Sequence, residues 1–411
     1  MTETAQEKKT WRRTVKAPKE LVDRIGEPVN DEIMEIMLEG CAKIDASDLH
    51  LTVGQPPVYR VHGVLHEMVG YREMTHEDMV AGTNFFLGED TPDNQYWVRY
   101  HEKGGADHAY SLGDIARFRV SVFQQREHPA LALRMIPHET LSFEQLGLDP
   151  DVQVDLLSRP RGLILLTGPT GCGKSTTIAS MIDWINQNRG VHIVTIEEPI
   201  EFFHDSKMAL INQREVGVDV DSFAEAVIRN MRSDPDIILV GEMRDLETMR
   251  AALQAAETGH LVFGTLHTVS APKTIDRLVT AFPSNEQEEI RAMVSTSLVA
   301  TFSQELIPRI DKRGRIAAHE VMIGEAGGSP AIGNLVRERK VSQMRTTIQS
   351  SKDLGMKLLE SSLAELVNEG KIDFWEGYNR SNAKSDYMMF VDEEAIPDDV
   401  NQQVLQGGKE A

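Results

Sequence analysis

The octapeptide Gly168-Pro169-Thr170-Gly171-Cys172-Gly173-Lys174-Ser175 fits the pattern G-x-x-x-x-G-K-[ST]. In that pattern the glycines let backbone N–H groups turn inward around a phosphate. Leu163–Thr167, just before it, is apolar enough to be a buried parallel strand, and Thr176 to Asn186 reads as a helix. A strand that aims the loop and a helix that adds its positive end make a nucleotide-phosphate site. The reading assigns Thr170, Gly171, Cys172, Gly173, Lys174, Ser175 and Thr176 to ATP, with Lys174 at the β/γ-phosphates and the Ser175 hydroxyl on Mg²⁺.

From this strand onward, strand and helix patterns alternate. Strands are expected at Leu163–Thr167, His192–Glu197, Ile237–Val240 and Leu261–Thr265, and helices at 176–186, 222–232, 245–258, 285–307 and 350–369. Alternation of this kind implies an α/β fold with a parallel sheet whose ligands bind at the carboxyl ends of the strands. Upstream, residues 31–137 read as a smaller α+β domain. A helix begins at Asp31, strands are expected at Leu49–Val53, Val58–Val61, Val64–Met68, Ala106–Ser111, Arg117–Gln125 and Ala130–Ile136, and His62-Gly63 makes a tight turn. Residues 138–160 form a connector with a helix near Val152–Leu157, and 161–382 form the nucleotide domain. The basic N-terminal 1–30 and the acidic 383–411 are expected to be flexible tails.

The 411 residues are 41% hydrophobic and 26% charged, as expected for a globular protein of two domains. A net charge of −21 argues against sequence-independent nucleic-acid binding, which needs clustered Lys and Arg. No apolar run approaches the ~20 residues that span a bilayer, no signal peptide opens the chain, and two cysteines make no disulfide framework. The expectation is a cytoplasmic protein, with Cys172 structural rather than redox-active.

Polar residues follow the other strands. Glu197, Glu198 and Glu201 follow the second, and Glu242 caps Asp236–Val240 in the Walker B manner. Hydrolysis needs a group that positions water and a way to hold Mg²⁺, and such carboxylates supply both. Glu242 is the choice for polarising water. Glu201, with Glu198 beside it, is the choice for orienting water and metal, so Ser175, Glu201 and Glu242 form the Mg²⁺ set. The alternative is that these acids are solvated loop residues. His260 and His267 bracket the fourth strand, one at each end, which makes them poor ligands for a single metal; a histidine at the exit end can hydrogen-bond the γ-phosphate. In the first domain Arg117 and Arg119 share one strand face, with Arg126 nearby, and suit either an arginine finger supplied in trans or a solvated face.

Taken together, these segments resemble the type II/IV secretion ATPase superfamily, and within it the type IV pilus retraction branch of PilT and PilU. The resemblance starts at Ala46-Ser47-Asp48-Leu49-His50-Leu51 and takes in Ala116–Val120, Gln124-Gln125-Arg126, Thr195–Phe202, Asp234–Asp245 and Thr258–Thr268. It ends in Ala317-Ala318-His319-Glu320 and Leu354-Gly355-Met356. It implies a PAS-like N-terminal domain, a RecA-like ATPase domain and a homo-hexameric ring with ATP near subunit boundaries. On that template Glu201 and Glu242 serve hydrolysis, His260 and His267 form a His box, and Arg117, Arg119 and Arg126 act across the interface. The implied setting is the inner-membrane pilus base, with a platform protein and a paralogous retraction ATPase as partners and twitching motility as output. A secretion or DNA-transfer ATPase, or an accessory PilU-like subunit, is the alternative. Ala331–Glu338 resembles the A-I-R-N-L-I-R-E segment of PilT, with Gly333 in place of Arg and Gly327-Gly328 in a short insertion; Glu198 stands where the family has Asp.

Overall fold

The computed structural model describes residues 13–61, 63–113, 115–136, 140–311 and 314–397. The chain divides into two units, Met1–Glu139 and Thr140–Ala411.

The first unit carries strands β1 (Arg13–Lys16), β2 (Ala46–Leu51), β3 (Val58–Val61), β4 (Val64–Val69), β5 (Gly105–Leu112), β6 (Ala116–Gln125) and β7 (His128–Ile136). They form one sheet in the order β1-β4-β3-β2-β7-β6-β5. Phe118, Val120 and Val122 alternate inward on β6 and share a core with Ile33, Met34 and Met37 of the helix Asp31–Lys43. That helix starts where Asn30 Oδ1 accepts from the Ile33 N–H at 3.0 Å. Asp78 closes a capping box with Thr75 on the helix His76–Leu87 and also accepts from the Val29 N–H at 3.0 Å.

The sequence expectation of a loose stretch through residue 30 fails over 13–30. β1 pairs in parallel with β4, and Leu21 and Val29 are buried. The Lys- and Arg-rich composition hid the few apolar anchors that hold this edge. A helix at Gln95–Lys103, burying Trp97 and Tyr100, was also not foreseen. The basic cluster at Lys8, Lys9 and Arg12, the His62 half of the expected turn, and Pro137 lie outside the described residues.

The second unit carries β8 (Gly162–Thr167), β9 (His192–Glu197), β10 (Leu210–Glu215), β11 (Ile237–Val240), β12 (Leu261–Leu266), β13 (Leu298–Pro308) and β14 (Arg315–Ile323). The order is β10-β9-β11-β12-β8-β13-β14, parallel throughout except for the antiparallel β13–β14 pair. β8, β11 and β12 are buried along their whole length, which is why they read as continuous apolar runs. The connector residues Leu146, Leu148, Leu156 and Leu157 belong to this unit's core.

Two expectations are corrected here. Residues 285–307 are not one helix: the helix Gln287–Ser297 runs straight into β13, whose Val299, Thr301 and Phe302 sit between β8 and β14. The stretch from 383 is not loose throughout. The helix Lys384–Phe390 buries Tyr387, whose hydroxyl donates to the Phe374 carbonyl at 2.9 Å. Residues 398–411, with Asp398 and Asp399, lie outside the described residues. Among the described residues no helix is long and apolar enough to cross a membrane.

Candidate active site

β8 delivers the chain into Gly168, Gly171 and Gly173, with φ of +140°, +76° and +90°. A Cβ at Gly168 would fall 2.3 Å from the Gln304 carbonyl oxygen, so only glycine lets the loop pass this close to β13. The helix Lys174–Asn188 begins after Gly173 without a side-chain cap, so its first N–H groups are not taken by a capping side chain. Lys174 Nζ donates to the Gly168 carbonyl at 2.9 Å and the Pro169 carbonyl at 3.3 Å. Thr170, Gly171 and Ser175 are exposed, and Thr176 is half-buried. Cys172 is buried, and burial raises its thiol above the usual cysteine range, which keeps it protonated.

Because β8, β9, β11 and β12 are parallel, their carboxyl ends lie on one edge. Glu242 lies two residues past β11 and meets two side chains: Arg244 Nη2 donates to Glu242 Oε2 at 2.7 Å, and His267 Nε2, just past β12, is 2.8 Å from Glu242 Oε1. Burial works to raise the Glu242 carboxyl, but the bonds from Arg244 and His267 outweigh it and hold it below the ordinary carboxylate range. Glu198 is exposed, 3.8 Å from Arg244 Nη1. Glu201 lies in the same loop, and its backbone N–H bonds Glu197. Glu197 accepts from Thr195 Oγ1 at 2.7 Å and Gln213 Nε2 at 3.3 Å, and desolvation pushes it up to about 7.

His260 is not part of this edge. It precedes β12 at the opposite end, with Nδ1 2.9 Å from the Ala255 carbonyl and its own carbonyl accepting from the Gly162 N–H. The three arginines belong to the first unit. Arg117 is buried and donates to Ser111 Oγ at 3.1 Å, Arg119 is half-buried on β6, and Arg126 is exposed in the β6–β7 turn with φ +50°.

Sequence reasoning missed the supports. Gln304, on β13, donates from Nε2 to the Cys172 carbonyl at 2.6 Å and accepts from Thr177 Oγ1 at 2.7 Å. Arg315 Nη1 reaches the Gly171 carbonyl at 3.2 Å. Gln304 was hidden because its segment was read as helix; Arg244 was visible as a basic residue two places beyond the capping acid.

Residues 26–353 match the family model described as type II/IV secretion system protein. The chain belongs to this family. It is 47% identical to the type IV pilus retraction ATPase PilT of Pseudomonas aeruginosa over 85% of this chain and 96% of that one. It is 45% identical to the twitching motility protein of Neisseria gonorrhoeae over 77% and 82% of the two chains. The crystal structure of the pilus retraction motor PilT with bound ADP superimposes with a TM-score of 0.77 at 41% identity, covering 87% of this chain and 99% of that chain. Within the family, then, the chain has the architecture of the retraction motors, an N-terminal domain followed by a RecA-like ATPase domain.

Proposed function

We propose that this chain hydrolyses ATP and spends the free energy on type IV pilus retraction, the removal of pilin from the pilus base that powers twitching motility. The observation that carries the reading is the placement of a glycine-built phosphate loop on the same sheet edge as the Glu242–His267–Arg244 cluster. Similarity to PilT over nearly the whole chain supplies the direction of the motor.

In this reading Lys174 leaves the Gly168 and Pro169 carbonyls for the β/γ-phosphates, and loop N–H groups at Thr170–Thr176 hold the rest of the charge. Glu242, kept ionised by its bonds with Arg244 and His267, polarises the attacking water. His267, bonded to Glu242, faces the γ-phosphate side, and Glu201 and Glu198 complete the acidic wall. Among the described residues no group of three or more His, Cys, Asp or Glu side chains is placed to cage a metal. An exposed hydroxyl at the helix start with a carboxylate on the same sheet edge fits Mg²⁺, which keeps waters and takes phosphate oxygens; Ser175, with Glu242 and Glu201 through water, would hold it. Bound there, Mg²⁺ neutralises charge on the β- and γ-phosphates.

The motor is a homo-hexamer at the cytoplasmic side of the inner membrane. It works against a platform protein, beside a paralogous ATPase; of the three arginines, Arg119 and Arg126 complete a neighbour's site, and Arg117, bonded to Ser111, holds the strand that carries Arg119. The test is genetic and enzymatic together. Deleting the gene leaves piliated cells that do not twitch, the intact gene restores motility, and a Lys174→Ala version does not. A deletion strain that twitches normally while secretion or DNA transfer fails overturns the assignment in favour of a secretion motor.

A further inference from the structure

Glu201, assigned above to orienting water and Mg²⁺, stands in residues 198–209, which connect β9 to β10 and belong to no helix or strand. An acid that must meet a phosphate site at a fixed place needs its backbone held, and here side chains from the neighbouring strands hold it.

The holding groups share one face of the sheet edge. Gln213 pairs in register with Thr195, and Glu215 with Glu197, so all four lie on the same face of β9 and β10. Three of them bond three consecutive residues of the loop. Glu215 Oε2 accepts from the Ile200 N–H at 3.2 Å. Glu197 accepts from the Glu201 N–H. Gln213 Nε2 donates to the Phe202 carbonyl at 2.8 Å and to Glu197 Oε1 at 3.3 Å, while its Oε1 accepts from the His204 N–H at 2.8 Å. Ile200 and Phe202 bury their side chains on either side of Glu201, which is itself half-buried.

The far half of the loop hangs from a different element. Asn186, on the helix Lys174–Asn188, accepts from the Lys207 N–H at 2.9 Å and donates to the Asp205 carbonyl at 2.8 Å. Gln213 and Glu215 therefore act on the half that carries Glu201. Displacing a reacting group by about 1 Å can cost on the order of 10²-fold in rate, so bonds that fix this backbone bear on turnover as well as on folding. We propose that Gln213 and Glu215 are positioning residues for hydrolysis, which hold the Glu201 backbone and so aim its carboxylate at the nucleotide edge. The inference rests on the ATPase reading and on the role given there to Glu201.

The test is a double-mutant cycle on the full chain, reading the turnover of radiolabelled ATP, KM, and ADP affinity. Gln213→Met keeps the side-chain volume and removes both ends of the amide. It should lower kcat on the order of tenfold to 10²-fold while KM and ADP affinity stay within about twofold of the parent chain. Added to Glu201→Ala, the same change should lower kcat by no more than about twofold further, because the group it positions is already gone. Glu215 supplies a second arm that does not depend on how Gln213→Met folds. Glu215→Gln keeps an acceptor for the Ile200 N–H and should retain most of the turnover, whereas Glu215→Leu should lose as much as Gln213→Met. Unchanged kcat in Gln213→Met, an equal fold-loss with and without Glu201, ADP affinity falling in step with kcat, or Glu215→Gln as poor as Glu215→Leu overturns the proposal. Parental kcat in Glu201→Ala overturns it too, with the ATPase assignment intact. Only a parent chain that does not hydrolyse ATP counts against that assignment.

Discussion

His267 Nε2 stands 2.8 Å from Glu242 Oε1, joining the carboxyl ends of β12 and β11 beside the phosphate loop. With Arg244 on both oxygens, through Nη2 to Oε2 and Nε to Oε1, the Glu242 carboxylate is fixed in orientation and kept ionised. In the proposed mechanism Glu242 is the base, a role worth about 10²–10⁴-fold. Glu242→Gln should therefore lower kcat by that order while nucleotide binding, read by a fluorescent ATP analogue, stays within a few-fold of the parent chain. Lys174→Ala should lose both binding and turnover. Near-normal kcat in the Glu242 variant would transfer the role to Glu201.

Gln304 supports the loop from a strand that is distant in sequence, and both ends of its amide are used, on Cys172 and on Thr177. Gln304→Leu leaves a buried carbonyl and a buried hydroxyl without their partner, each costing about 1–3 kcal/mol. The expected outcome is a lower melting temperature together with weaker ADP binding by calorimetry. A variant that melts earlier but binds ADP unchanged would show that Gln304 stabilises the sheet without shaping the loop.

Glu197 makes stability depend on pH. Its folded pKa of about 7 lies above the ordinary 4.5, so the fold holds its proton more tightly than the unfolded chain does. The associated stability is full below pH 4.5 and is lost as pH rises through 7. Glu197→Gln mimics the protonated form. Its melting temperature should exceed the parent's by a few degrees at pH 8.5 and converge on it near pH 5. Parallel curves at the two pH values would exclude a raised pKa.

What the sequence disclosed and what it concealed divide along a physical line. Gly168–Ser175 and the acid after β11 were legible because strand, glycine turn and helix start are neighbours in the chain, and each local constraint is visible in the residue type. β13 was not. Leu298–Pro308 contains Leu, Ala, Gln and Glu that suit a helix equally well, and only pairing with β8 and β14 makes it a strand. Gln304 and Arg315 disappeared from view with it. His260 and His267 look alike in sequence, yet the direction of β12 puts one at the nucleotide edge and the other at the far end.

Gly333 stands in place of the family's arginine, and its surroundings leave no room for a side chain. It is buried within the helix Pro330–Arg337, and a Cβ there would fall 2.0 Å from Glu325 Oε2 and 2.8 Å from Glu325 Cβ. Glu325 fills the space and pairs with Arg337 at 2.7 Å. Gly333→Arg should therefore destabilise by about 1–3 kcal/mol through overpacking. Glu325→Ala should remove most of that penalty in the double variant, so the two changes are strongly non-additive. Additive losses in denaturant melts would show that Glu325 moves aside freely.

Catalysis that needs two subunits is the last expectation, and the arginines are not equivalent candidates. Arg117 is engaged with Ser111 inside its own unit, whereas Arg119 is half-buried and Arg126 lies exposed at a turn. A finger supplied in trans is worth about 10³–10⁵ in kcat in phosphate-loop enzymes. Specific activity should rise with protein concentration as rings assemble, and Arg119→Ala with Arg126→Ala should be nearly inactive while keeping its melting temperature. Mixing that variant with Lys174→Ala should restore part of the activity, because some interfaces then join an intact loop to intact arginines. Arg117→Ala should instead lower the melting temperature, since it removes a buried side chain and its bond to Ser111 from β6. If mixed rings form, shown by native mass spectrometry, and remain inactive, the arginines act within their own subunit and the shared site is wrong.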